Sequence, residues 1–192
     1  MSTASTPPEE FRRAVAELQA ARVRTEVELE TLPPPKRLAP FSHAIAGTVI
    51  DPETDEEIAS GRLVLLHDPA GVPAWDGTSR IVVFVTSEIE SEMTADPVLA
   101  EVAWSWLTDA LDGAKAGYQA LGGTVTATSS TRFGDLTGER RTDDLEIRAS
   151  WSPLSGDSAP HLTTFAQLLA VAAGLPPEGV ATIAPVPSRS TH

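Results

Sequence analysis

The 192-residue chain contains no cysteine, which excludes a disulfide framework, a thiolate nucleophile and a Cys-ligated metal. It also has no apolar run near the ~18 residues that suggest a membrane span, so no membrane association is expected. Its first residues, MSTASTPPEEF, carry no basic region followed by an apolar stretch, so a secretory signal is not expected either. These absences favour a cytoplasmic protein. Lysine is scarce, two residues against twelve arginines, and the net charge is −13. The arginine bias, with abundant alanine, suits a GC-rich genome. So acidic a surface repels phosphate backbones, whose non-specific binding depends on cationic neutralisation, and nucleic acid is not an expected partner. Arg132, Arg140, Arg141 and Arg148 leave room for a local basic patch, and a protein or peptide partner suits the charge better.

Catalytic signatures are missing too. His43, His67, His161 and His192 show no paired spacing such as HxxxH or HExxH, so no metal site is expected. There is no Gly-rich phosphate loop, nucleophile elbow or dinucleotide fingerprint, and no cofactor is expected. The acids between Asp51 and Glu57 invite a calcium reading. However, Glu56 stands where the loop would need glycine, and the twelfth position holds no glutamate. The stretch reads as a solvated hairpin tip.

What is present is a regular alternation of apolar and polar residues. It fits one domain over 7–179, between a disordered N-terminus (1–6) and a flexible C-terminal tail (180–192). Thr6-Pro7-Pro8-Glu9 matches a capping box before a helix with Phe11, Val15, Leu18 and Arg22 on one stripe. From Val23 to Glu30 the period becomes two, as in a strand with an acidic outer face. Leu32 to Pro40 is a proline-rich connector laid over the surface, with spacing that also resembles a ligand for an aromatic groove.

Strands follow at 42–50, 58–67 and 80–86. Leu63 to Leu66 is continuously apolar, so that strand should be covered on both faces. His67-Asp68-Pro69 and the residues to Trp75-Asp76-Gly77 have turn chemistry. A long helix over 97–121 places Leu99, Val102, Ala103, Trp106, Leu107, Ala110, Ala114, Tyr118 and Leu121 on one half of its wheel. Trp104 lies at the border, and Gly122-Gly123 is expected to end the helix. A hydroxyl-rich strand at 124–133 suits an edge. Leu145, Ile147, Ala149 and Trp151 alternate in another strand. The last helix covers about 160–173 and is stopped by Gly174, Pro176 and Pro177.

The order is therefore α-ββββ-α-ββ-α. With short connections it predicts an α+β fold, a mainly antiparallel sheet of about six strands with helices packed on it. This element order resembles that of type III secretion chaperones, which bind peptide segments. A second resemblance rests on RLAP (37–40), GRLVLLHDP (61–69), AWDG (74–77), EVAWSWL (101–107), LGGTVTAT (121–128), RFGD (132–135), RASW (148–151) and AGLPP (173–177). From about Phe11 to Gly179 the chain is similar to an actinobacterial family of uncharacterised proteins, a domain of unknown function in the three-thousand series. That resemblance implies a single-domain cytosolic protein and carries no catalytic residues with it.

The expected function is a non-catalytic protein-binding, chaperone-like or regulatory module, with Trp104, Trp75 and Arg132 as candidate binding residues. A homo-oligomer is compatible with it. The alternative is a small-ligand-binding protein or enzyme built on His67, Asp68, Asp76 and Asp135, with Arg132 as an anion contact. A histidine beside carboxylates can act as a general base. The same Asp-Pro and Asp-Gly pairs are also ordinary turn residues whose carboxylates bond nearby amides.

Overall fold

The computed structural model of the chain describes residues 6–51, 53–136, 138, 141–154 and 157–178. In chain order the elements are helix α1 (Glu9–Ala20) and strands β1 (Val27–Leu32), β2 (Phe41–Ile50) and β3 (Glu57–Val72). A 3-10 turn (Pro73–Trp75) leads to β4 (Gly77–Glu88), a short α2 (Ser91–Thr94) and α3 (Leu99–Gly113). Strands β5 (Tyr118–Thr131) and β6 (Arg141–Pro153) and helix α4 (Ala159–Ala172) complete it. The strands form one sheet in the order β1-β2-β3-β4-β6-β5, and every neighbouring pair is antiparallel. The α+β class, the six-stranded sheet and the expected order of elements are all present. The additional α2 lies in a stretch expected to be loop. Among the described residues no helix is long and apolar enough to cross a membrane.

One face of the sheet carries the core. Odd-numbered residues of the central strands, including Ile45, Leu63, Leu65, Ile81, Val83, Ile147 and Trp151, are buried beneath the helices. Each such side chain contributes about 1.5–3 kcal/mol on burial. Helix α4 lies deepest. Gly47 and Gly61 face each other across β2 and β3 and leave a notch there. Phe165 and Leu169 fill it: a Cβ on Gly47 would stand 2.5 Å from Leu169 Cδ1 and 2.9 Å from Phe165 Cε1. Helix α4 buries His161, Thr164 and Ala170 besides its apolar stripe, and so is covered nearly all round. It ends as expected at Gly174 (φ 74°), where Leu175 N–H donates to Ala170 O at 2.9 Å.

Several boundaries differ from the sequence reading. The first helix starts after Pro8 with no side-chain cap, so Thr6 forms no capping box, and Arg22 lies exposed beyond the helix end. The strand expected from Val23 begins at Val27, because Arg24 turns inward. Its guanidinium donates to Glu26 Oε1 at 2.9 Å and to Pro176 O at 3.1 Å, and this pairing holds the Glu26 carboxyl down to about 2. Strand β3 continues through His67-Asp68-Pro69 to Val72, past a break in register, so the reversal falls on Pro73–Asp76 instead.

The largest correction concerns the long helix. It stops at Gly113, where Lys115 adopts φ 55°. Ala116 N–H donates to Leu111 O at 2.9 Å and Lys115 N–H to Asp112 O at 3.0 Å, the paired bonds of a left-handed helix cap. Tyr118 and Leu121 therefore belong to β5, and Gly122-Gly123 sits inside a strand. Val102, expected in the core, is 42% exposed. The expected 1–6 terminus, apart from Thr6, and the 180–192 tail lie outside the described residues, as does Arg140.

Candidate functional site

The residues of the suggested catalytic cluster do not converge. His67 is buried on the helix-covered face, where its Nδ1 lies 2.9 Å from Ser79 Oγ and the rings of Phe11 and Phe41 flank it. Asp68 lies in the break in register that follows His67, and its Oδ1 accepts the Ala70 N–H at 2.9 Å. Asp76 is exposed in the left-handed turn between β3 and β4, and its carbonyl accepts from Gln119 Nε2. Asp135 follows β5 at the other end of the sheet. The register sets the Pro153 and Arg141 rows twelve residues apart along β6, roughly 40 Å. Among the described residues no three His, Asp or Glu side chains group as a metal site requires.

The candidate binding residues are also spread out. Trp104 is half-buried on α3 and packs over Gly123 of β5. Arg132 lies past the end of β5, near Gly138. At that end Asp143, 2% exposed, accepts from Ser91 Oγ at 2.6 Å and pairs with Arg141 at 2.8 Å. Those hydrogen bonds, Arg141's first, hold its carboxyl far below the usual carboxylate range. Trp75 lies on the sheet face opposite the main core.

That face is built by the even-numbered residues of the central strands. Its apolar part is a small cluster of Ala44, Val64 and Leu66, against which Leu32, Ala39, Trp75 and Val82 pack. The proline-rich connector and the Trp75 turn therefore cover one end of it. A polar network fixes this covering. Arg80 donates to Ser150 Oγ at 2.8 Å and to Ala120 O at 2.8 Å, while Ser152 Oγ donates to the Trp75 carbonyl. Burial pushes the Arg80 pKa down.

Among the described residues no helix covers the middle of the face. One cross-strand row runs Ala46, Arg62, Phe84, Arg148 and Thr124 through β2, β3, β4, β6 and β5. Arg148 places its guanidinium 5.3 Å from the centre of the Phe84 ring and its Nε 2.6 Å from Glu146. Arg62 is exposed, and among the described residues none forms an ion pair with it. The two arginines, Phe84, Val64 and Val82 border a shallow depression of about 410 Å³. Such a surface can stack on an apolar or aromatic group and bond a carboxylate on either side of it. Sequence reasoning missed it, because Arg62, Phe84 and Arg148 lie far apart in the chain and only the register of three strands aligns them.

Over residues 7–181 the chain matches the family model described as Protein of unknown function (DUF3000). No curated protein and no solved structure matches it. With nearly its whole length covered by that model, the chain belongs to the DUF3000 family.

Proposed function

We propose that this DUF3000 protein is a non-catalytic binding module, chaperone-like or regulatory, working in the cytoplasm of an actinobacterium. Its partner is a protein segment carrying acidic and apolar side chains, laid across the open face of the sheet. The observation that carries this reading is the Arg62–Phe84–Arg148 row, a cationic and aromatic centre on a chain of net charge −13. Arg62 supplies a cation with no ion pair among the described residues, Phe84 and Val82 supply apolar contact, and Trp75 packs against the apolar cluster of the same face. Aromatic and arginine side chains of this kind dominate binding energy at protein interfaces.

The test is affinity capture from the native host, with mass spectrometry of species held in stoichiometric amount. Arg62→Glu and Phe84→Ala are each expected to lower recovery of the partner roughly tenfold, with the melting temperature little changed. Full recovery by both variants would overturn the assignment.

A further inference from the structure

We infer that β5 is a pairing edge for a second copy of this chain, so that two sheets join antiparallel through β5 into one. The sheet has two edges, and they differ in kind. Strand β1 is six residues long, carries Glu28 and Glu30, and runs directly into Pro33-Pro34-Pro35. Charge, shortness and proline are the usual means of keeping an edge unpaired. Strand β5 has none of them. It is fourteen residues long, and Gly122 to Thr131, GGTVTATSST, contains no charged residue and no proline.

On its inner side β5 bonds β6 from Gly122 to Thr131 without interruption. Among the described residues its outer side has no strand neighbour, which leaves a long row of backbone donors and acceptors of high strand propensity. A segment without charge is also the part of this acidic chain where two copies can meet without repulsion. Antiparallel pairing of β5 with itself is self-complementary, as a two-fold interface requires. It sets Thr124, Thr126, Thr128 and Ser130 opposite the same hydroxyl-bearing set of the other copy on the open face. Threonine and serine pairs of this kind stabilise neighbouring strands.

Trp104 supports the second copy as occupant. It lies over Gly123 on the helix side of this edge and stays half exposed. The two-fold axis stands perpendicular to the joined sheet, so the helical layers of both copies lie on one side. The other copy then covers what Trp104 leaves open.

The absence of native cysteine makes the test direct. The parent is expected to sediment at twice the 20.3 kDa chain mass, and Thr126→Lys with Thr128→Lys to sediment at the chain mass with unchanged circular dichroism. Single substitutions Thr124→Cys, Thr126→Cys, Thr128→Cys and Ser130→Cys are expected to give disulfide-linked dimers, with the highest yield at the position nearest the two-fold axis. A parent that sediments at the chain mass at tens of micromolar overturns the inference. A dimer that survives both lysines and is not trapped by any of the four cysteines overturns it too. A foreign chain trapped by those cysteines would assign the edge to that chain instead.

Discussion

Trp151 donates its indole N–H to Nδ1 of His161 at 3.1 Å, joining strand β6 to helix α4 in a fully buried pair. Because the indole can only donate, Nδ1 must be unprotonated, which fixes the neutral tautomer of His161 with its proton on Nε2. Burial pushes the His161 pKa down to about 4, against a smaller opposing effect from Asp157.

That depression makes the fold sensitive to acid. Above its unfolded pKa of 6.5 His161 is neutral in both states, and the stability it supports is complete. As the pH falls from 6.5 towards 4 the unfolded chain takes up the proton and the folded chain resists it, so stability is lost across that window. The loss reaches ~3 kcal/mol at pH 4. Urea unfolding of the parent and His161→Gln between pH 7 and 4 should show their difference narrowing with acid. A constant difference would rule His161 out as its source.

Gly122 and Gly123 should separate under substitution. A Cβ on Gly123 would stand 2.2 Å from Arg148 O, 2.8 Å from Ala149 Cα and 2.9 Å from Trp104 Cζ3, whereas one on Gly122 meets nothing within 4 Å. Gly123→Ala is expected to destabilise by about 2–3 kcal/mol. Gly122→Ala should leave stability within about 1 kcal/mol of the parent, on the favourable side. Thermal or denaturant unfolding of the two variants decides the matter, and equal losses would contradict it.

These glycines also show where sequence reading stops. Periodicity located the core faces well. Phe11, Leu63, Ile147 and Trp151 are buried as their spacing requires, and α4 lies within a residue of its expected bounds. The helix over 97–121 ran too long because Lys115 takes a left-handed cap without being glycine, while the glycines that seemed to end it serve close approach inside β5. The candidate site was least legible. His67, Asp68 and Asp76 are near one another in sequence, yet His67 is buried beneath the helices, Asp68 bonds its own turn past a break in register, and Asp76 sits in an exposed left-handed turn. The aligned row Arg62–Phe84–Arg148 depends on pairings that no local pattern encodes.

Lys115 offers a gain. A residue with a Cβ costs about 1–2 kcal/mol in the left-handed region, and glycine relieves most of it. Lys115→Gly is expected to stabilise the protein by roughly 0.5–1 kcal/mol, and the β-branched Lys115→Val to destabilise it. Melting temperatures that move in the opposite order would exclude the cap as the cause.

Asp143 should behave as an anchor for the start of α2. Its depressed pKa means that it contributes stability above its unfolded value of 3.8 and loses that contribution as acid protonates the folded carboxylate. Asp143→Asn is expected to lower the melting temperature at pH 7. The gap to the parent should close in strong acid. A gap independent of pH would show that shape, and not charge, is what matters there.

The notch formed by Gly47 and Gly61 has a consequence for vectorial synthesis. The two glycines belong to the first third of the chain, and the side chains that fill their notch, Phe165 and Leu169, are made near the end. Until α4 has been made, the nascent sheet lacks the side chains that fill the centre of its apolar face. Folding of this domain is therefore a late event that waits for its final helix, and the exposed interval before it is when the nascent chain is most open to aggregation or to a chaperone.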